Sequence, residues 1–528
     1  MDENEFFNNL GFDSNPFQFT NADDEDRLEK YFIPPPYFDS VWGNPEKPKS
    51  VVVFAPRGGG KTSQRKMIEF ESQKNGNVLC VNYSRFELTK RVQDITLSDH
   101  LQKIIQIIVV GVLTRLNEDP KIIEYLDKND KKYLNALVDI HLGKISEQDF
   151  KVAIDSLSNF SEKAIKFWNE HLGAINFGIN LILSKLNLGV VDAKKIDDIY
   201  KLDDSFKFQL EKIQKIIFKM KFTAIYILID KVDEADITGN DASLSSKLIE
   251  PLLKDLDLLE LPGYGFKFFL WEKLEKYFDE YGRKDRINYY PLVWKNSELK
   301  KMLSKRLEAY SNNKINYFSK IVDDDYRIMD INEIIILFAQ KSPRDAIRVI
   351  QNIISEQREI NPYAKKISYQ AIMKGLDVFS LNKAGEILDT NGIRELRKIG
   401  QIEFTISFLA SKIFKSRKNT IRSKIKKWSD LGIIEKIGTV KGKKRNVNKY
   451  CISDIRIAKS ILSEMPIEKF LDSKHKKCPK CFTDLLRDWD KDDNSICHNC
   501  SYEIKNVSDK KNRIITVNGS QQASLFDF

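Results

Sequence analysis

The chain has 528 residues, 42% of them apolar, and a formal net charge of +10. That length exceeds what one hydrophobic core organises, so three or four domains are expected, and the apolar content excludes a largely disordered chain. The most apolar run, Ile104 to Leu113, is about half the length a membrane-spanning helix needs.

The first 48 residues are polar, aromatic and Pro-containing, with an acidic run at Asp23 to Asp26. They are expected to wrap the domain that follows. Ser50 to Pro56 reads as a buried strand, followed by a glycine cluster and an amphipathic helix from Thr62. Val78 to Asn82 is a second strand. A mostly helical insertion then occupies about 95–220. Within it Ala174 to Val191 is interrupted by Asn176, Asn180, Lys185 and Asn187, and reads as buried helix or strand. Thr223 to Asp230 is a third, fully apolar strand, and Phe266 to Trp271 a fourth. Strands alternating with helices predict an α/β fold with a parallel sheet between helices. The core is placed at 49–295 and a helical lid at 296–381, with Asn382 to Asp389 as a linker.

Ala55-Pro56-Arg57-Gly58-Gly59-Gly60-Lys61-Thr62-Ser63 ends a strand and opens a helix. In this context backbone N–H groups cradle phosphates, Lys61 reaches the β- and γ-phosphates, and the Thr62 hydroxyl ligates Mg²⁺. Ala55 stands where the strict motif has its first glycine, a strand-end position that needs small size. In Ile229-Asp230-Lys231-Val232-Asp233-Glu234 the strand delivers Asp230 to the metal edge. Glu234, one turn on, can polarise the attacking water, while Asp233 shares the metal shell or orients Glu234. No guanine-reading motif is visible, so ATP is expected.

From about Asn15 to Glu356 the chain resembles ATPases of the AAA+ and STAND branch, especially initiator-like and KAP-like prokaryotic members. The two nucleotide motifs carry most of the likeness, supported by Tyr290-Pro-Leu-Val-Trp294, Leu299 to Leu307, and Lys341-Ser-Pro-Arg344-Asp-Ala-Ile-Arg348. The resemblance implies a P-loop NTPase whose lid carries a sensor arginine at Arg344. It also implies an arginine finger at Arg283 or Arg286, and with it a nucleotide-dependent homo-oligomer. The long helical insertion departs from compact members of the branch.

Between Ser411 and Tyr450 there are 14 Lys or Arg against two acidic residues, a balance of +12. Clustered charge of this kind points to a polyanion. Within 390–470, Thr405 to Ile437 reads as helix, turn, helix and strand. Ile406, Leu409, Ala410 and Ile413 form the first apolar face, Ser416 caps the second helix, and Ile421, Ile425 and Trp428 form its core face. Lys441 to Arg445 is the loop of a basic hairpin. The arrangement looks like a winged helix-turn-helix. Arg417, Lys418, Asn419, Arg422 and Lys426 would meet double-stranded DNA in the major groove, and Lys443, Lys444 and Arg445 would lie along phosphates.

Cys478-x2-Cys481-x15-Cys497-x2-Cys500 has the spacing of a structural Zn²⁺ ribbon, placed at 475–505, with His475 and His498 as nearby substitutes. Cys80 and Cys451 are left unpaired, which suits a reducing interior. The acidic start, Met1 to Asn9, lacks the regions of a secretory signal. A cytoplasmic, nucleoid-associated protein is therefore expected. The last residues, 506–528, read as a flexible tail whose Gln522, Leu525, Phe526 and Phe528 resemble peptides that dock on sliding clamps. Together these features favour an ATP-dependent DNA-associated switch or remodeller. A STAND-like defence sensor and a DNA-binding regulator with a slow ATPase are the alternatives.

Overall fold

The computed structural model describes residues 2–157, 160–186, 188, 205–323, 330–440, 446–489, 495–497 and 499–504. They fall into two compact units, one of residues 1–321, 330–351 and 363–366, the other of 322–329, 352–362 and 367–528.

The first unit is built on a five-stranded parallel sheet of β1 (Val51–Ala55), β2 (Val78–Tyr83), β3 (Ala224–Ile229), β4 (Tyr264–Trp271) and β5 (Asn288–Pro291), in the order β2-β3-β4-β1-β5. Strands β1, β3 and β4 are buried along their whole length, because helices cover both faces. β5 escapes sequence detection: it is four residues long, ends in Pro291 and is half exposed on the sheet edge, where a missing N–H is tolerated. The helix after β1 spans Lys61–Asn75 and stops at Gly76 in the left-handed region.

The insertion between β2 and β3 is helical, as expected. Its longest helix, Leu97–Glu118, is long and apolar enough to cross a membrane, yet 72% of its apolar window is buried. Ile104, Ile108, Leu113 and Leu116 sit in the same core as β3 and β4, so burial inside the fold accounts for the apolar run. Ile175–Lys185 is also a helix, with Ile179, Ile182 and Leu183 buried; Leu186 and Leu188 beyond it are buried too, and 187 and 189–191 lie outside the described residues.

On the opposite face of the sheet, β4 buries a lysine. Lys267 Nζ donates to the Lys49 carbonyl at 2.9 Å and lies 4.5 Å from the centre of the Tyr226 ring. Burial pulls its pKa from the ordinary 10.5 down to about 7. Between those values the unfolded chain binds a proton that the folded chain does not, so stability should rise with pH across that window. Lys267→Met is expected to flatten the slope, by at most roughly 1.4 kcal/mol per pH unit. Denaturant melts of both proteins from pH 7 to 10 check this.

The N-terminal segment packs on this unit. Phe6, Phe7, Phe12 and Phe17 are buried, and the Asp13 N–H donates to the Tyr310 carbonyl. Its anchor is Arg306 of the helix Asn296–Tyr310. Arg306 forms a buried ion pair with Glu25, and it donates to the Pro16 and Phe19 carbonyls and to the Tyr31 hydroxyl. Breaking a buried pair strands a charge, so Arg306→Met should cost about 3–5 kcal/mol. Glu25→Gln/Arg306→Met should recover part of it. Urea titration of the three proteins measures both effects.

In the second unit, Gly375 of the helix Tyr369–Ile387 lets it cross closely over Ile353: a Cβ there would meet the Ile353 Cα at 2.5 Å. That helix runs through Ile387, which corrects the expected linker at Asn382 to Asp389. A further helix follows at Thr390–Ile399, capped by Asp389, whose Oδ1 accepts from the Gly392 N–H. Then come β6 (Glu403–Thr405), a short helix that widens to a π turn at Leu409–Ile413, a helix at Lys418–Asp430, and the hairpin of β7 (Ile434–Val440) and β8 (Val447–Ile452). The three strands are antiparallel, in the order β6-β8-β7. Ile421, Ile425 and Trp428 are the buried face. One detail differs. Arg417, not Ser416, occupies the N-cap, and the buried Ser416 hydroxyl makes no capping bond.

Candidate nucleotide site and metal centre

The nucleotide site forms where β1 ends. Gly58 and Gly60 both have positive φ, +73° and +95°. A side chain on Gly58 would also strike Arg344, whose Cβ lies 2.9 Å from where a Cβ would stand. Ala55 closes β1 and is fully buried. The Gly59 N–H bonds back to the Pro56 carbonyl, and the Gly59 carbonyl accepts from Trp294 Nε1 at 2.7 Å. The loop thus holds its cradle shape through its own backbone and the Trp294 indole.

Lys61 is buried and folds back onto the Ala55 carbonyl at 3.3 Å. Burial pulls its pKa below the ordinary lysine range, against the opposing pull of Asp233, Asp230 and Glu234. A bound polyphosphate would supply the negative charge that this ammonium lacks. The Thr62 hydroxyl donates to Asp230 Oδ2 at 2.9 Å, so the two groups expected to hold Mg²⁺ face each other. Ser63 lines the same cavity. Glu234 is exposed and borders it, while the residue next to Asp230, Lys231, is paired with Asp23. Glu234 thus presents an exposed carboxylate at the edge of the cavity. Asp233 is buried, and its carboxylate is held by Arg57.

Arg344 borders the cradle from the start of the helix Pro343–Ile360, its N–H 3.4 Å from the Gly58 carbonyl. Arg286 pairs with Glu260 and Arg283 with Asp285, both exposed, and neither lines the cavity.

Sequence reading missed two contributions. Leu28, Tyr31, Phe32 and Ile33 of the N-terminal segment form an apolar wall of the cavity, facing Leu292, Trp294 and Met302. The second is Arg65, buried beneath the site, which pairs with Asp230 at 3.2 Å and also with Asp23 and Glu69. Burial works against that charge, but Glu69, Asp230 and Asp23 together hold the guanidinium pKa above its ordinary value. The available signals were an Arg one turn after Lys61 with a Glu four residues further on, and the acidic run at Asp23.

The residues present fit a nucleotide with its magnesium: a glycine cradle, a buried lysine at its floor, and a paired hydroxyl and carboxylate. Bound there, ATP would place its phosphates in the cradle, held by backbone N–H groups and Lys61, with Mg²⁺ held by Thr62 and Asp230.

The four cysteines form a second centre. The Cys478–Cys500 and Cys481–Cys497 sulfurs are 3.6 and 3.5 Å apart, and all four lie within 4.8 Å of one another. A tetrahedron with zinc–sulfur arms of about 2.3 Å has edges near 3.8 Å, so the set fits Zn²⁺ with no open position. Each pair sits on the same turn: the Phe482 and Ser501 N–H groups bond back to the Cys478 and Cys497 carbonyls, and both residues have positive φ. His475 Nε2 pairs with Asp484 at 2.9 Å, and the clustered ligand atoms are the four sulfurs without His475; His498 lies outside the described residues.

On the helix Lys418–Asp430, Arg417, Lys418, Asn419, Arg422 and Lys426 are all exposed, and Arg422 donates to Asn419 Oδ1. Lys443, Lys444 and Arg445, and the tail residues Gln522, Leu525, Phe526 and Phe528, lie outside the described residues.

The first unit has an α/β P-loop NTPase fold with a large helical insertion. No family model matches the sequence, and no curated protein matches it. Among solved structures it is similar to the Orc1 protein of Aeropyrum pernix in complex with DNA, with TM-score 0.36, 10% identity, and coverage of 85% of this chain and 96% of that one. It is also similar to Cdc6p from Pyrobaculum aerophilum, with TM-score 0.31, 11% identity, and 83% and 98% covered. Drosophila ORC bound to DNA gives TM-score 0.27, 12% identity, and 81% and 93% covered.

Proposed function

We propose that the chain is a Mg²⁺-dependent ATPase of the AAA+ kind that acts as a DNA-associated switch. The observation that carries the ATPase reading is the Thr62 hydroxyl set 2.9 Å from Asp230 at the mouth of a glycine cradle. Arg344 bounds that cradle on one side and Glu234 borders it on another. In this reading Lys61 and the loop N–H groups bind the phosphates, Glu234 takes up the proton of the attacking water, and Arg344 reads the presence of the γ-phosphate.

The DNA part of the reading rests on the exposed Lys418, Arg422 and Lys426, spaced four residues apart on one helix face, with Arg417 at its N-terminus. Such a face neutralises phosphates, so binding should weaken steeply with salt. The terminal Gln522 to Phe528 peptide is proposed as a recruitment element for a sliding clamp.

The test is ATP turnover with and without duplex DNA, beside Lys61→Ala. Stimulation by DNA that vanishes in Lys61→Ala and weakens in Arg417→Ala/Arg422→Ala supports the coupled switch. Turnover indifferent to DNA rejects the coupling and favours a sensor ATPase triggered by something else.

A further inference from the structure

Arg57 belongs to the phosphate loop, yet its guanidinium is engaged away from the cradle. Nε donates to the buried Asp233 carboxylate at 2.9 Å, Nη2 donates to Asn240 Oδ1 at 2.7 Å, and the group lies 4.3 Å from the centre of the Trp271 ring. These partners come from three other segments. Trp271 closes β4 and pairs in register with Ala55; β4 lies between β1 and β3 in the sheet, so it stands between the phosphate loop and Asp230. Asp233 and Glu234 share the single turn Val232–Glu234, so whatever holds Asp233 sets the position of Glu234.

We propose that Arg57 is the positioning residue for Glu234. It ties the loop that the phosphates shape to the turn that carries the water-activating carboxylate, and Trp271 reports the tie. The proposal rests on the hydrolytic reading above. An Arg57 that swung to the phosphates would leave Asp233 buried and unpaired, a strongly unfavourable state. The planar fork is needed both to pair with Asp233 and to stack on Trp271, so lysine is not an equivalent replacement.

The experiment uses the full chain with Arg57→Gln, Arg57→Lys, Asp233→Asn and the double variant Arg57→Gln/Asp233→Asn. Turnover, affinity for a fluorescent ATP analogue, and Trp271 emission (the difference from Trp271→Phe) are measured for each. Misplacing a catalytic group by an ångström costs about 100-fold in rate. Arg57→Gln and Asp233→Asn should therefore each lose turnover on that order with affinity nearly unchanged. The double variant should be no worse than either, and Arg57→Lys should recover a fraction. Trp271 emission should change in Arg57→Gln and respond to nucleotide in the unmodified chain.

Affinity falling in step with turnover in Arg57→Gln, while Asp233→Asn behaves normally, would assign Arg57 to the phosphates and overturn the proposal. Additive losses in the double variant would overturn it as well. A wild-type chain that binds ATP without hydrolysing it defeats the underlying ATPase reading, and its own rate distinguishes that case. If Arg57→Gln folds poorly, the comparison of Arg57→Lys with Asp233→Asn carries the same test.

Discussion

Glu234→Gln is expected to lower ATP turnover by about 10²- to 10⁴-fold, the usual worth of a positioned general base. Nucleotide affinity should stay within a few-fold, because an exposed carboxylate at the cavity's edge adds little to ground-state binding. Lys61→Ala should behave differently. Its ammonium is buried at the floor of the glycine cradle, where it would meet the phosphates directly, so its loss should weaken binding itself. Steady-state turnover and equilibrium titration with a fluorescent nucleotide separate the two. If Glu234→Gln hydrolyses at the wild-type rate, Glu234 is not the base.

The second large effect concerns zinc. The module has a core of little more than Leu485, Trp489 and Ile504 around the cysteines. Zinc binding to such modules is worth roughly 10–16 kcal/mol, far more than that core supplies. Elemental analysis should find one zinc per chain. Cys478→Ser, or a strong chelator, should expose 474–504 to hydrogen exchange while Trp428 in the helix Lys418–Asp430 stays protected. Because all four ligands are thiolates and no position is open, ATP turnover measured without DNA should survive the loss.

Much of the nucleotide site was legible in the sequence because its chemistry is local. The glycines, Lys61 and Thr62 are consecutive, and Asp230 to Glu234 form one strand end and one turn. The cysteine pairs were legible for the same reason. What could not be read was made by distant segments. Nothing in Leu28 to Ile33 marks it as a wall of the cavity, since an apolar segment packs on many surfaces. Arg65 reads as an ordinary helical arginine until the fold places Asp230 beside it. β5 was too short and too exposed to show a strand pattern. The misplaced linker had a different cause: Asn382 to Asp389 is polar enough for a loop, but Ala384 is buried and holds the last turns of the helix in place.

The Arg306 anchor has a consequence for how the chain is made. Pro16 and Arg306 are partners 290 residues apart. At about 5–20 residues per second a ribosome takes roughly 15–60 s to bridge that gap. Throughout that interval Leu28 to Ile33 have emerged without the helix that fastens them, and the cavity lacks a side. Nascent chains stalled before Arg306 should therefore carry a formed phosphate loop yet fail to retain ATP, and should expose Phe6, Phe7 and Phe17 to chaperones. Binding competence would arrive in one step, late in synthesis, as the helices Asn296–Tyr310 and Pro343–Ile360 clear the exit tunnel.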